Sequence, residues 1–265
     1  MNALRKYFYL YLRTFKQSLM TEMQYRVNFF TWVTIHSVNI IVQILFFRII
    51  YQNIDQINGW TFYQVLLVLA VHKCVITIGS LTFFPVMYQF ANKIKTGDFD
   101  LQLIKPVSPL FLATFSWVDI EDFQNLINSL ILMTVCLTQL KPISLIPNLF
   151  LGVIMMFFAL LFLFSLLVSL QSLAFRFINV INVRYFFWSF INMSEYPAKA
   201  IIRVPSIIRA LLFPAILISS VPAEVLFGRW ELGWIIGIAS VSITLFFLSR
   251  QFFYHQLKMY SSASS

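Results

Sequence analysis

Charged side chains are scarce in this sequence, and that scarcity decides its class. Of its 265 residues only 11% are Asp, Glu, Lys or Arg, whereas a soluble domain carries about 25%. Hydrophobic residues make up 60%, and the mean hydropathy is +0.81. No water-soluble fold hides that much apolar surface. A β-barrel is excluded as well, because its strands alternate apolar and polar residues over about ten positions, and residues 149–170 are apolar on every face. Cysteine is nearly absent. Cys74 and Cys136 both lie inside apolar runs, without a CxxC pairing, so they read as packing residues and not as metal or redox ligands. A cleavable leader is not evident, since the first apolar run starts late and no small-residue cleavage site follows it; the mature chain is expected to begin near Met1.

Catalytic signatures are missing too. There is no GxxxxGK[ST] loop to cradle a nucleotide, no nucleophile elbow and no HExxH helix. His36, His72 and His255 fall on different segments, so no metal site and no catalytic residue is assigned. Any ATP used here has to be bound by another chain.

What remains is a set of apolar runs, each weighed against the roughly 20 residues that cross about 30 Å of hydrocarbon. The reading is an all-α membrane protein, a single transmembrane domain over residues 1–265 with six crossings at residues 27–50, 60–88, 111–138, 146–175, 178–196 and 232–253. The third run is too short unless it reaches back through Asp119, Glu121 and Asp122, which then mark its start. Residues 1–26 precede the spans. There Leu4, Phe8, Tyr11, Phe15 and Leu19 recur at helical spacing beside Arg5, Lys6, Arg13 and Lys16, the pattern of an amphipathic helix lying in the interface. Residues 198–222, cut by Pro205, Pro214 and Pro222, suit a re-entrant segment better than a crossing.

The net charge of +9 does not indicate nucleic acid, because the cations sit at the ends of apolar runs, where they anchor the chain to membrane lipid. With six crossings and an inside N-terminus, Arg5, Lys6, Arg13, Lys16, Arg26, Lys93, Lys95, Lys105, Arg176, Arg184, Arg250 and Lys258 lie inside. Arg48, Lys141, Lys199, Arg203, Arg209 and Arg229 lie outside. Both termini are therefore expected in the cytoplasm.

Three groups of residues could carry function. Lys73 stands near the middle of the second span, where an unpaired charge costs about 2.5 kcal/mol or more. With His72 it lines a translocation path or a subunit interface, or it pairs structurally with a carboxylate or snorkels to the surface. Asn28, His36, Asn39 and Gln43 on the first span, and Asn179, Asn182, Ser189 and Asn192 on the fifth, recur at spacings that place them on one helix face, either lining a cavity or hydrogen bonding between helices. The third group is a polar loop. Gly97 and Asp98 make a turn, residues 99–104 fit a short helix, and Pro106 ends it. Phe99, Leu101 and Leu103 would make this segment a docking knob. An ion-coupled secondary carrier or channel is the alternative, using Lys73, His72, Asp119, Glu121 and Asp122.

At this loop the sequence resembles the permeases of ABC-2 type transporters, through Gly97-Asp98-Phe99-Asp100-Leu101 leading to Lys105-Pro106-Val107-Ser108-Pro109, through Glu195-Tyr196-Pro197, and through Phe213-Pro214 with Val221-Pro222-Ala223. The likeness covers the layout of the whole chain, with Lys105 standing where relatives often have Arg. It implies a bacterial inner-membrane exporter of the ABC-2 or type V kind, in which this chain forms half of the pathway. Its second half would be another copy or a similar paralogue. Two cytoplasmic ABC ATPase subunits, holding ATP and Mg, would dock on residues 97–104 as a coupling helix, with Gly97, Asp98, Phe99, Asp100, Leu101, Leu103 and Lys105 at the contact. In that layout the segment before the last span resembles re-entrant helices capping the exit.

Overall fold

The computed structural model describes residues 3–176, 181–197 and 216–260. Among them the chain is 80% helical and has no strand. α1 (Ala3–Gln24) turns at Tyr25 into α2 (Arg26–Ile50), and the chain returns as α3 (Phe62–Ser80). α4 (Met87–Thr96), the single-turn α5 (Asp100–Leu103) and α6 (Pro109–Thr114) follow at one end of the bundle. A 3₁₀ turn at Ile120–Asp122 opens α7 (Phe123–Leu140), and α8 (Leu145–Ser172) continues into a 3₁₀ turn at Leu173–Phe175. α9 (Ile181–Asn192) runs into a 3₁₀ turn at Met193–Glu195. A π-helical turn at Ile216–Ser220 leads into α10 (Val221–Leu226), and α11 (Leu232–Lys258) ends the described chain.

Five of these stretches are long and apolar enough to cross a bilayer: Arg26–Ile50, Phe62–Ser80, Ile120–Leu140, Leu145–Phe175 and Leu232–Lys258. The fifth expected span, residues 178–196, is described only from Ile181, and the 12 residues of α9 rise about 18 Å. α8 finishes at the α4–α5 end, where Phe175 meets Phe99, while α11 starts at the opposite end, where Arg229 donates to the Gly59 carbonyl. The chain between them must recross the layer, and α9 forms part of that passage. Most of the expected re-entrant segment lies outside the described residues. Its described part, from Ile216 onward, is buried against α3 and α8.

Two expected spans are differently built. The second does not run on to residue 88, because α3 stops at Ser80. The Phe83 and Phe84 amides both turn back to the Gly79 carbonyl, at 2.8 and 3.0 Å, and Pro85 disfavours helical geometry at Phe84. The third does not extend back to Phe111 as one helix. α6 ends at Thr114, and the link before α7 is tied to neighbouring elements: Val118 N–H donates to Ser18 Oγ at 3.2 Å and Asp119 N–H to the Ser80 carbonyl at 3.4 Å.

α3 is the central helix, buried along nearly its whole length, and it packs mainly on α7, while α8 packs mainly on α11 and α10. The free thiols Cys74 and Cys136 are sealed in this core. The outward sides of α2 and α11 show Phe30, Ile41, Leu45, Ile236 and Phe247, the surface that hydrocarbon covers. α1 is held to the bundle by Tyr11 Oη on the Leu81 carbonyl at 2.7 Å and by Lys6 Nζ on the Pro106 carbonyl. Of its expected apolar stripe, Phe8 and Leu19 face outward beside Leu12, whereas Tyr11 is drawn inward.

α8 approaches α10 through Gly152. A Cβ there would stand 2.4 Å from Leu226 Cδ2 and 2.7 Å from its Cγ. Gly152→Ala is therefore expected to lower stability by about 1–3 kcal/mol. Adding Leu226→Ala should make the pair less damaging than the sum of the single changes, as read from thermal melts in detergent.

Candidate functional site

The loop between α4 and α6 is built around Gly97. Its φ of +79° is left-handed, a conformation glycine takes without steric cost. Gly97 N–H donates to the Ile94 carbonyl at 3.3 Å, and Phe99 N–H reaches back to Lys93 at 3.0 Å, closing the end of α4. Thr96 Oγ1 adds a 2.6 Å bond to Asp98 Oδ2. α5 then makes one turn before Pro106 stops it. Burial pushes the Lys93 ammonium below the ordinary lysine value, Asp98 pulls it back, and Lys105 pushes it further down.

This geometry corrects the expected role of Phe99. It is fully buried, whereas Leu101 is 61% and Ile104 80% exposed. Phe99 packs its ring against Phe90 at 5.3 Å, Phe175 at 5.5 Å and Tyr260 at 6.0 Å. Phe253 closes the cluster at 5.4 Å from Phe175. Phe99 therefore does not present itself to a partner; it pins the loop to the ends of α8 and α11. The outward surface consists of Asp98, Leu101, Leu103, Ile104 and Lys105. Gly97 and Asp100 are half-buried behind it.

A second polar site lies within the bundle. Lys73 is the twelfth residue of α3, about 17 Å from its start and so near mid-depth. Its Nζ donates to Glu195 Oε1 at 2.8 Å, and Gln43 Nε2 on α2 donates to the same oxygen at 3.3 Å. His72 Nε2 stands 3.8 Å from that oxygen, while its Nδ1 shares a 2.8 Å hydrogen bond with Ser194 Oγ. Ser219 Oγ donates to the Ser194 carbonyl. Four elements thus meet on one carboxylate and its neighbour, and Lys73 is a structurally paired cation. A lone charge at that depth costs about 2.5–3.5 kcal/mol, and the carboxylate offsets this.

The sequence singled out Gln43, His72 and Lys73, and the structure brings these three together. It does not bring His36, Asn28, Asn39, Ser189 or Asn192 there. His36 stacks on Trp32 and meets Asp122 at 3.4 Å, at the start of α7. Asn28 and Asn39 are exposed on α2, so the polar residues of that helix do not form one inward face. Ser189 and Asn192 are exposed on α9. Asn182 belongs to α9, and Asn179 lies outside the described residues. Sequence reasoning missed Ser194, Glu195 and Ser219 as partners. A signal existed for Glu195, a carboxylate directly following an apolar run in a chain whose buried Lys73 needs one. Among the described residues no group of three or more His, Cys, Asp or Glu could hold a metal ion.

Helices long and apolar enough to cross a membrane, packed around an ion pair at mid-depth, define a multi-pass membrane protein. The family model described as ABC-2 family transporter protein matches residues 37–264, and the chain belongs to that family. It is therefore a membrane permease of ABC-type transport, a component of a class that is typically non-catalytic and works with ABC ATPase subunits generally. No curated protein and no solved structure matches it.

Proposed function

We propose that this chain is the membrane half of an ATP-driven exporter in the bacterial inner membrane, with both termini cytoplasmic. It pairs with a second permease, another copy or a similar paralogue, and two cytoplasmic ATPase subunits supply the ATP and Mg. The observation that carries this reading is the division of labour in the loop after α4, where Leu101 and Ile104 face outward while Phe99 is locked inward. An apolar surface on a one-turn helix gives a soluble partner something to grip, and the Phe99 cluster passes its movement to α8 and α11. The common end shared by the first turns of α1 and the last turn of α11 supports placing the termini together: Tyr7 Oη accepts from Ser108 N–H, and Ser108 Oγ bonds Tyr254 Oη.

The ion-coupled alternative draws less support. His72 and Lys73 are engaged with Ser194 and Glu195, whereas Asp119 attaches at Ser80, seven residues or about 10 Å further along α3.

In the test, the chain is co-expressed with an ABC ATPase subunit from the same organism. Leu101→Asp with Ile104→Asp is expected to cut co-purified ATPase at least tenfold while shifting the melting temperature of the permease little, since both side chains are exposed. Full transport by the chain without any ATPase, or an undiminished complex in the double variant, overturns the proposal.

A further inference from the structure

An open cavity of about 710 Å³ lies where α1, α6, α8 and α11 converge, within the roughly 300–1,000 Å³ range of small-molecule sites. Its deep wall is aromatic. Phe164 sits at the centre, 5.4 Å from Phe83, stacked on Phe115 at 5.9 Å, and 6.1 Å from Phe246. Its mouth is polar and holds Tyr7, Ser108, Arg250 and Tyr254. The two tyrosine hydroxyls there are tied to Ser108, at 3.3 and 3.1 Å. The Arg250 guanidinium lies 6.0 Å over the Tyr254 ring. Among the described residues no carboxylate comes within 4.0 Å of Arg250.

Depth fixes what can fill such a space. Arg250 comes 18 residues after Leu232, the first residue of α11, or about 27 Å along the helix axis, close to the hydrocarbon thickness of about 30 Å. It therefore stands at headgroup level, and Phe246 lies one turn deeper. An apolar void bordered by lipid is not a place for water; an acyl chain reaches it directly. A guanidinium at the mouth that meets no carboxylate among the described residues calls for a negative group, and phosphate suits its planar fork.

We propose that this cavity is a binding site for one resident anionic phospholipid of the surrounding bilayer, with an acyl chain among the phenylalanine rings and the phosphate on Arg250 and the Tyr254 hydroxyl. The occupant braces α1 and α11 against Ser108, two residues beyond the Pro106 that ends the knob. This holds whether or not the chain works with an ATPase, because it rests on the cavity and on the membrane-spanning fold alone.

The test uses the purified full chain, stripped of lipid in detergent and titrated with phosphatidylglycerol or phosphatidylcholine of the same acyl chains, with bound lipid counted by native mass spectrometry. One phosphatidylglycerol per chain is expected to bind saturably, about fivefold to tenfold tighter than phosphatidylcholine, the effect of one cation near a lipid headgroup. Arg250→Gln should abolish the preference, Arg250→Lys should keep it, and Leu160→Trp, which fills the wall, should remove both lipids. Equal binding of the two lipids by the natural chain overturns the proposal, as does a preference that survives Arg250→Gln. Because the first of these outcomes needs only the natural chain, a variant that fails to fold does not leave the question open.

Discussion

Replacing Glu195 by alanine is expected to destabilise the folded chain by about 3–5 kcal/mol, because Lys73 is left near mid-bilayer without its carboxylate. Both side chains are largely buried, Lys73 at 19% and Glu195 at 17% exposure, so water cannot substitute for the lost partner. Gln43 and His72 lose their contacts to the same oxygen. Glu195→Gln should be milder, retaining a hydrogen bond to Lys73 but not the charge. The double variant Lys73→Met with Glu195→Leu removes both charges and should return to within about 1–2 kcal/mol of the parent, as apolar replacements of buried pairs do. Melting in detergent gives the stability, and transport by the refolded double variant then separates two roles. A pair that only braces α2, α3 and the Met193–Glu195 turn can be exchanged for methionine and leucine without loss. A pair that takes part in transport cannot.

Phe99→Ala should produce the next largest effect, a loss of about 3–5 kcal/mol for a buried phenylalanine truncated in a packed cluster. Phe90, Phe175 and Tyr260 would then border a cavity, and the loop after α4 would lose its hold on α8 and α11. At temperatures where the variant remains folded, the ATPase should still bind, since Leu101 and Ile104 are untouched, but ATP turnover should no longer drive transport. Phe99→Leu should fall between the two, refilling part of the space. The Leu101 and Ile104 variants should show the opposite pattern, with the fold intact and binding lost. Normal coupling in the Phe99→Ala variant would remove the strut role from this ring.

Composition alone made the membrane class plain, because 60% hydrophobic residues leave no soluble option. The long helices Arg26–Ile50, Leu145–Phe175 and Leu232–Lys258 could be read directly from uninterrupted apolar runs. Breaks were harder to see. Pro85 was visible, yet nothing local says that Phe83 and Phe84 fold back onto the Gly79 carbonyl; that needs the ring of Phe84 against Phe187 and Trp188. Phe99 misled for a related reason. In a loop of Gly, Asp, Gln and Lys an aromatic residue reads as exposed, and only the approach of Phe175 and Tyr260 from distant helices shows otherwise. Lys73 was legible as a problem but not as a solution, since Glu195 lies 122 residues away in sequence. On α2, His36 and Gln43 turn inward and Asn28 and Asn39 do not, a difference of helix rotation that spacing could not resolve.

Because Cys74 and Cys136 are both shut inside the helices, the natural chain offers maleimide reagents no surface thiol. A cysteine introduced at Ile104 becomes a selective attachment point without any background to remove first. Carried on both members of the proposed permease pair, it would place two probes on the two knobs, and spin-label distances between them would follow the spacing of the knobs as nucleotide binds and leaves.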